Sequence, residues 1–431
     1  MTPGGRIQAA IEVLDDIAGN RRPASEALKD WGRTHRFAGA GDRAAIGNLV
    51  FDALRHRNSL AARMGDDGAR ALALAAAAGM LDLTADALDA MCAVPHGPGA
   101  LGEAERARLS GTPAAEAPWI AGDYPDWLQP AFERVFGDRA AEQGRALARR
   151  APIDLRVNTL KATRDKVLRA LERFGAQATP LSPLGVRIAP PGGFGRSPNV
   201  EREPGHGRGH YEVQDEGSQI VSLLAGAGPG LQVADICAGG GGKTLAMAAQ
   251  MDNHGQIYAY DANMTRLRPI FERLQRAGVR NAQVLGAHET DRLEGLEGRM
   301  DLVLVDAPCS GTGAWRRRPD AKWRLTPRAV ERRLAEQQAV LQEACRLVRP
   351  GGRIAYVTCS VLPEENGDRV SAFLKADPSF RLVPWTGLWA QAVGGEPPAS
   401  ADGSEETLLL TPADHGTDGF FLAVMEKQPE T

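Results

Sequence analysis

The sequence predicts an α/β protein. A doubly wound, mostly parallel, Rossmann-like sheet fills the C-terminal half, preceded by a small α/β subdomain and an N-terminal all-α domain. Three observations carry this. From Leu231 onward, short apolar runs alternate with helix-like stretches, and runs such as Leu302 to Val305 read as strands buried on both faces of a parallel sheet. Four glycines, Gly239 to Gly242, separate the first of these strands from a helix. Two later strands run into cysteine-bearing loops, DAPCSGTG from Asp306 and TCS from Thr358.

Taken in order, residues 1–120 read as helical. Ile7, Ala10, Ile11, Leu14 and Ile17 recur at helical spacing, and Leu49, Val50, Leu54 and the cluster Leu72 to Leu83 continue it. This reads as a docking bundle without chemistry. Its basic set, Arg33, His35, Arg36, Arg43, Arg55, His56 and Arg57, is either a solvated face or an RNA-facing side. Pro95 to Pro118, rich in Pro, Gly and Ala, reads as a linker. Tyr124 to Phe136 reads as a helix with aromatic anchors. Within residues 121–215 we expect a strand (Leu155 to Asn158), a helix (Arg164 to Phe174) stopped by Gly175, and a strand (Gly185 to Ile188). This subdomain carries Arg156, Lys161, Arg164, Lys166 and Arg169. Residues 191–210 read as loop, and Gln214 to Leu224 as a helix leading into the last domain, 216–431.

There the expected strands are Gln232 to Ile236, Gln256 to Tyr260, Ala282 to Leu285, Leu302 to Val305, Arg353 to Val357, Arg381 to Val383 and Gly419 to Met425. The expected helices are Lys243 to Gln250, Thr265 to Ala277, Arg328 to Val348 and Glu364 to Leu374. With no helix evident between the last two strands, one of them should run antiparallel.

Composition narrows the function. At net charge −3 the chain is not globally basic, so any nucleic-acid contact must come from local patches. Five cysteines without regular spacing make neither a disulfide framework nor a zinc site, and no metal is expected. Acids interrupt the start where a signal peptide needs its apolar core, and no uncharged apolar run approaches about 18 residues. A cytoplasmic protein with reduced thiols and no membrane partner is expected, as a monomer.

An isolated cysteine is usually a small buried hydrophobe, and Cys92 and Cys345, in helix-like patterns, keep that reading. Cys309 and Cys359 differ: each follows a central strand and precedes Ser, and Asp306-Ala307-Pro308 leads into the first. Pro308 ends the strand and Gly311 and Gly313 permit a tight loop. Strand carboxyl ends are where open α/β sheets bind ligands, so two thiols and a carboxylate there point to covalent chemistry.

The loop Cys237-Ala238-Gly239-Gly240-Gly241-Gly242-Lys243-Thr244 lets backbone approach a ligand at a helix N-terminus. Gly-Lys-Thr resembles a P-loop and LVLVD the strand of a magnesium-binding Asp, so an NTPase is the rival. The P-loop's first glycine would fall on Cys237, however, and the dinucleotide pattern fails at Thr244. Asp261, roughly 20 residues past the loop, is placed to hold a ribose diol. Adenosine without a triphosphate fits, and S-adenosylmethionine is such a ligand.

The stretches LRVNTLK, VQDEGSQ, the glycine loop, DAPCSGTG, RRRPDAKWR, GGRIAYVTCSVLPEEN and DGFFLAVMEK together resemble the RNA cytosine-C5 methyltransferases, from about residue 150 to the end. The resemblance implies a class I methyltransferase sheet and methyl transfer from S-adenosylmethionine to carbon 5 of a cytosine, in ribosomal RNA first and tRNA second. It implies Cys359 as nucleophile, Cys309 as the thiol of product release, and Cys237 to Lys243, Asp261 and Asp306 around the cofactor. Residues 1–120 are similar to the RNA-binding domain of the antitermination factor NusB. Two departures stand out. Gly239 and Gly240 replace the family's Ala-Pro, which should make the loop floppier. Ala287 stands where an adenine-facing Asp is usual, leaving a lost contact, His288 or Glu289 as alternatives. An assembly factor that binds RNA without methylating it is the non-enzyme alternative.

The chemistry explains the residue types. A thiolate adding to carbon 6 makes the ring an enamine able to attack a methyl group. Asp306 is the candidate to share the N3 proton, and the helix start at Pro363-Glu364 would favour a thiolate at Cys359. Arg316, Arg317, Arg318, Lys322, Trp323 and Arg324, with Arg328, combine phosphate-binding charge and a stacking indole for exposed RNA bases.

Overall fold

The computed structural model describes residues 1–111 and 117–429. Two compact units divide the chain. One comprises Met1–Ala151 with Pro190–Pro198 and Trp315–Leu325; the other comprises Pro152–Ala189, Asn199–Ala314 and the chain from Thr326 onward.

The first unit is helical. Its opening helix, Pro3–Asn20, starts where the Thr2 hydroxyl accepts the Gly5 N–H at 3.0 Å. Ile7, Ala10 and Leu14 on its inner face pack in one core with Ile46, Leu49 and Val50 of the helix Ala40–Arg55 and with Ala69–Leu81. All residues from Ala71 to Ala78 are buried, and their small side chains allow close helix approach. The expected linker instead contains a helix, Glu103–Ser110. Glu105 caps it through the Gly102 N–H (2.8 Å) and pairs with Arg70, while Leu109 joins the core. Residues 112–116 of that linker lie outside the described residues. Tyr124 to Phe136 is not one helix. Pro130 restricts the α-helix to Gln129–Phe136, after a 3-10 turn at Asp126–Leu128.

The second unit opens with a small antiparallel sheet: β1 (Ile153–Val157), β2 (Gln177–Ala178), β3 (Gly185–Ile188) and β4 (Tyr211–Val213), in the order β2-β3-β1-β4. Neither β2 nor β4 is evident in the sequence, being too short to show alternation. The stretch QDEGSQ fastens this sheet to the helix Glu216–Leu224. Arg187 holds Asp154 at 2.6 and 2.7 Å, and Asp154 accepts the Glu216 N–H at 3.1 Å. Buried Glu216 accepts the N–H groups of Leu181 and Ser182, and Asp215 accepts those of Gly217 and Asp418.

The large sheet contains β5 (Gln232–Asp235), β6 (Gln256–Tyr260), β7 (Ala282–Leu285), β8 (Met300–Asp306), β9 (Val348–Thr358), β10 (Phe380–Val383), β11 (Leu408–Leu410) and β12 (Phe420–Lys427). Its order is β10-β12-β9-β8-β5-β6-β7, with β11 against β12. The β8 and β9 runs Val303–Val305 and Ala355–Val357 are fully buried, as their unbroken apolar character predicts. β5 to β9 pair in parallel, and β12 is antiparallel to β9, β10 and β11. One late strand is therefore reversed, but for a different reason than expected. A helix, Trp385–Ala392, does lie between β10 and β12, and the reversal comes from β12 inserting between β9 and β10. Two helices differ from expectation. Pro269 breaks Thr265 to Ala277 into Met264–Leu267 and Ile270–Ala277. The helix expected at Glu364 starts at Gly367, because Pro363 to Asn366 form a turn whose Asn366 amide holds Thr358 and the Ser360 carbonyl. Strand order reverses at β5, between β6 and β8, which opens a ligand crevice at their carboxyl ends.

Among the described residues no single helix is long and apolar enough to cross a membrane.

Candidate active site

The end of β5 becomes the glycine loop. Gly241 has φ +81°, and a Cβ there would lie 2.5 Å from Ile270, so only glycine fits. The loop is held at three points. The Ala238 N–H donates to the Tyr260 carbonyl (2.9 Å), the Gly239 N–H to Asp261 (3.0 Å), and Arg273 donates to the Gly240 carbonyl (2.6 Å). These anchors offset the expected floppiness of Gly239-Gly240. Asp261, 4% exposed, also accepts the Asn263 N–H at 2.8 Å and lies 3.6 Å from Arg266. A carboxylate has about four acceptor sites, so capacity remains for a diol.

Lys243 does not point a free cation at the glycine loop. Its ammonium donates to Asp306 at 2.6 Å, over the Phe420 ring. That removes the phosphate-binding lysine an NTPase would need. Asp235, fully buried, accepts from Thr244 at 2.7 Å, and its second oxygen has no protein partner. Burial, and then the neighbouring Asp306, push its carboxyl up to about 7. Burial likewise pushes the Cys237 thiol far up, so Cys237 is a wall of the site rather than a nucleophile. Beyond β7, Ala287 is half-buried, and the Glu289 carboxylate turns back onto the Gly286 N–H (2.8 Å) and Arg292, which hold it below the usual range.

Past β8 and β9 the two thiols meet: Cys309 and Cys359 have their sulfurs 3.4 Å apart, both reduced. Backbone contacts fix this. The Ala307 N–H donates to Val357 (2.8 Å) and the Gly313 N–H to Cys359 (2.9 Å). Gly313 is required here, since a Cβ would lie 2.2 Å from the Gly419 carbonyl. The hydrogen bond to Cys359 and burial raise the Cys309 thiol well above its ordinary range, so Cys309 keeps its proton.

Glu365 is a site residue that sequence reasoning missed. Its carboxylate accepts the Ser310 N–H (2.8 Å), the Ser310 hydroxyl and the Gln337 amide (3.1 Å), while Gln337 also donates to the Pro308 carbonyl (3.0 Å). Both are fully buried, and burial raises the Glu365 carboxyl. Glu364-Glu365 after Pro363 reads as an ordinary helix first turn, which hides the role. A glutamine on the inner face of a long helix was the available signal.

The basic stretch divides. Trp315 is 1% exposed and stacks on Phe132 within the helical unit. Lys322, also 1% exposed, donates to the Arg55 (2.9 Å) and Asp123 carbonyls, and burial pushes its ammonium down to about 7. Trp323 donates to the Leu54 carbonyl at 2.6 Å, and Arg316 is 4% exposed. Arg316 and Lys322, expected to present themselves to RNA, are thus buried, while Trp323 is half-buried. The short helix Pro319–Arg324 is amphipathic and buries that face. Arg317, Arg318 and Arg324 remain exposed, the last paired with Asp320 at 2.8 Å. Among the described residues no group of His, Cys, Asp and Glu is arranged to hold a metal ion.

Residues 227–426 match the family described as 16S rRNA methyltransferase RsmB/F. Residues 124–194 match the ferredoxin-like domain of RsmF/B-like methyltransferases. Probable ribosomal RNA small subunit methyltransferase B of Synechocystis sp. is 33% identical over 310 residues, covering 70% of this chain and 67% of that protein. The chain belongs to the RsmB/F family of rRNA methyltransferases. Ribosomal RNA small subunit methyltransferase B of Vibrio cholerae is 31% identical over 311 residues, 72% of this chain and 67% of its own. The crystal structure of a methyltransferase homolog protein from Pyrococcus horikoshii, 28% identical, superposes with TM-score 0.59 over 72% of this chain and 97% of that one. The RsmB/F cofactor is S-adenosylmethionine. The residues fit it: a Cβ-free loop at β5, a carboxylate with spare acceptor sites at β6, and no free lysine for a triphosphate.

Proposed function

We propose that this RsmB/F methyltransferase methylates carbon 5 of a cytosine in 16S rRNA through a covalent bond from Cys359 to carbon 6. The observation that carries the reading is the pair of sulfurs 3.4 Å apart at adjacent strand ends, beside the Lys243–Asp306 pair. When bound, S-adenosylmethionine supplies an electrophilic methyl group. Cys359 attacks carbon 6 as thiolate, forming a C–S bond and moving the ring electrons toward carbon 5 and N3. Asp306, held by Lys243, passes to N3 a proton drawn from solvent and takes it back as the C4–N3 double bond re-forms on methyl transfer. Carbon 5 then bonds to the methyl carbon as that carbon's bond to sulfur breaks. The C5 proton leaves to water, the C5–C6 double bond reforms and the C–S bond breaks. Cys309, which holds its proton, donates it to the departing Cys359 sulfur and regains one from solvent. Residues 1–120 serve RNA binding, 121–215 form a pre-catalytic α/β subdomain and 216–431 are catalytic, in a cytoplasmic monomer without membrane partners.

RNA tritiated at carbon 5 of its cytosines tests this. Release of tritium to water that requires both S-adenosylmethionine and Cys359 is expected, and methyl incorporation without release would move the reaction to another atom. Asp261→Ala should weaken cofactor binding by roughly 1–3 kcal/mol, because a charged acceptor is lost and the Gly239 N–H is left unanchored. Calorimetry with unchanged affinity would remove Asp261 from the site. Arg317→Glu with Arg318→Glu should weaken RNA binding and flatten its salt dependence while sparing cofactor affinity; an unaltered slope would make both a solvated face.

A further inference from the structure

We propose that a cationic pocket on the small sheet of the second unit seats a backbone phosphate of the RNA. It rests on the RNA-methylating function proposed above and adds a phosphate contact to those of the exposed Arg317 and Arg318. The pocket, about 390 Å3, lies between the helix Arg164–Leu171 and the segment from Glu203 to Tyr211. Lys166, Arg173, Arg208 and His210 line it, against one acid, Glu203, which Arg173 already engages. Among the described residues, neither Lys166 nor Arg208 has a carboxylate within salt-bridge distance. The Lys166 ammonium nevertheless sits 3.5 Å from the His210 ring nitrogen. Alongside, Lys161 holds the Arg208 and Arg276 carbonyls at 3.3 and 2.6 Å, adding another cation.

Like charges gathered in excess of the one acid repel, and a bound anion relieves that repulsion. His210 reports the same field: burial, and then Lys166, Arg208 and Lys161, hold its ring below the ordinary histidine range. The wall is firm, since the buried Tyr211 donates its hydroxyl to the Val200 carbonyl at 2.8 Å. The pocket is also registered to the chemistry. Glu212, next on β4, grips Arg273 and Arg276, and Arg273 holds the Gly240 carbonyl of the cofactor loop. A phosphate seated here fixes the RNA backbone relative to that loop. A phosphodiester matches the charge, and RNA is the phosphodiester polymer on which the proposed reaction acts.

The test uses the full chain carrying Lys166→Glu and Arg208→Glu. Lys375→Glu, exposed on the helix Gly367–Ala376, serves as a charge control. Fluorescence anisotropy with an rRNA fragment should show at least about tenfold weaker binding for the double variant. The log–log salt slope should flatten by about 0.7 per lost phosphate contact, as for single strands. Thermal midpoint and S-adenosylmethionine affinity should match the control. RNA affinity and slope equal to the control's would overturn the proposal. So would competition by inorganic phosphate alone with RNA affinity untouched by the charge reversals, which would assign the pocket to a free anion. Because binding is read without turnover, the two ideas fail separately. Methyl transfer with unchanged affinity sinks the pocket, whereas lost affinity in a chain that never transfers methyl sinks the reaction.

Discussion

Cys309→Ala should leave the protein covalently joined to its RNA. In that variant Cys359 can still add to carbon 6 and the ring can still take the methyl group. What is missing is the protonated thiol 3.4 Å away, which in the wild type keeps its proton and can hand it to the departing sulfur. The adduct should therefore accumulate as a slow-migrating band on a denaturing gel, dependent on S-adenosylmethionine. Cys359→Ala should give no band and no turnover yet retain cofactor and RNA binding, and the double variant should give none. A band from Cys359→Ala instead would exchange the two roles. Wild-type turnover in both single variants would make both cysteines packing residues.

Glu365→Ala should be nearly as damaging although Glu365 forms no bond to either sulfur. Its loss strips the Ser310 N–H, the Ser310 hydroxyl and the Gln337 amide of an acceptor, at about 1–3 kcal/mol for each buried group left unpaired. The loop carrying Cys309 would shift, and a displacement of about 1 Å at a reacting group can cost on the order of a hundredfold in turnover. Turnover should fall by that order, with cofactor affinity retained. Glu365→Gln, which still accepts the Ser310 N–H, should recover part of it. Full activity of Glu365→Ala, measured as methyl incorporation, would show that the loop holds its shape without the carboxylate.

Legibility in the sequence tracks how each feature is encoded. The buried runs of β8 and β9, the glycine loop and the acids at strand ends rest on local signals, and the structure places these elements at adjoining sheet edges. β2 and β4 are too short to have a period. The helix within Pro95 to Pro118 is polar, with Leu109 alone turned to the core. The fate of Arg316 and Lys322 was hidden because charge in a sequence says nothing of direction. Lys322 looks like a phosphate ligand until Arg55 and Asp123 present their carbonyls to it. Glu365 was missed for the converse reason, since its partners lie 28 and 55 residues away in the chain.

Bisulfite sequencing of 16S rRNA bears most directly on the proposed chemistry, because a cytosine methylated at carbon 5 resists the deamination that converts an unmodified one. In cells lacking this gene, one cytosine that is protected in the parent strain should become convertible. The wild-type gene should restore protection and Cys359→Ala should not. An identical conversion pattern in parent and deletion strains would contradict cytosine-C5 methylation of 16S rRNA by this protein.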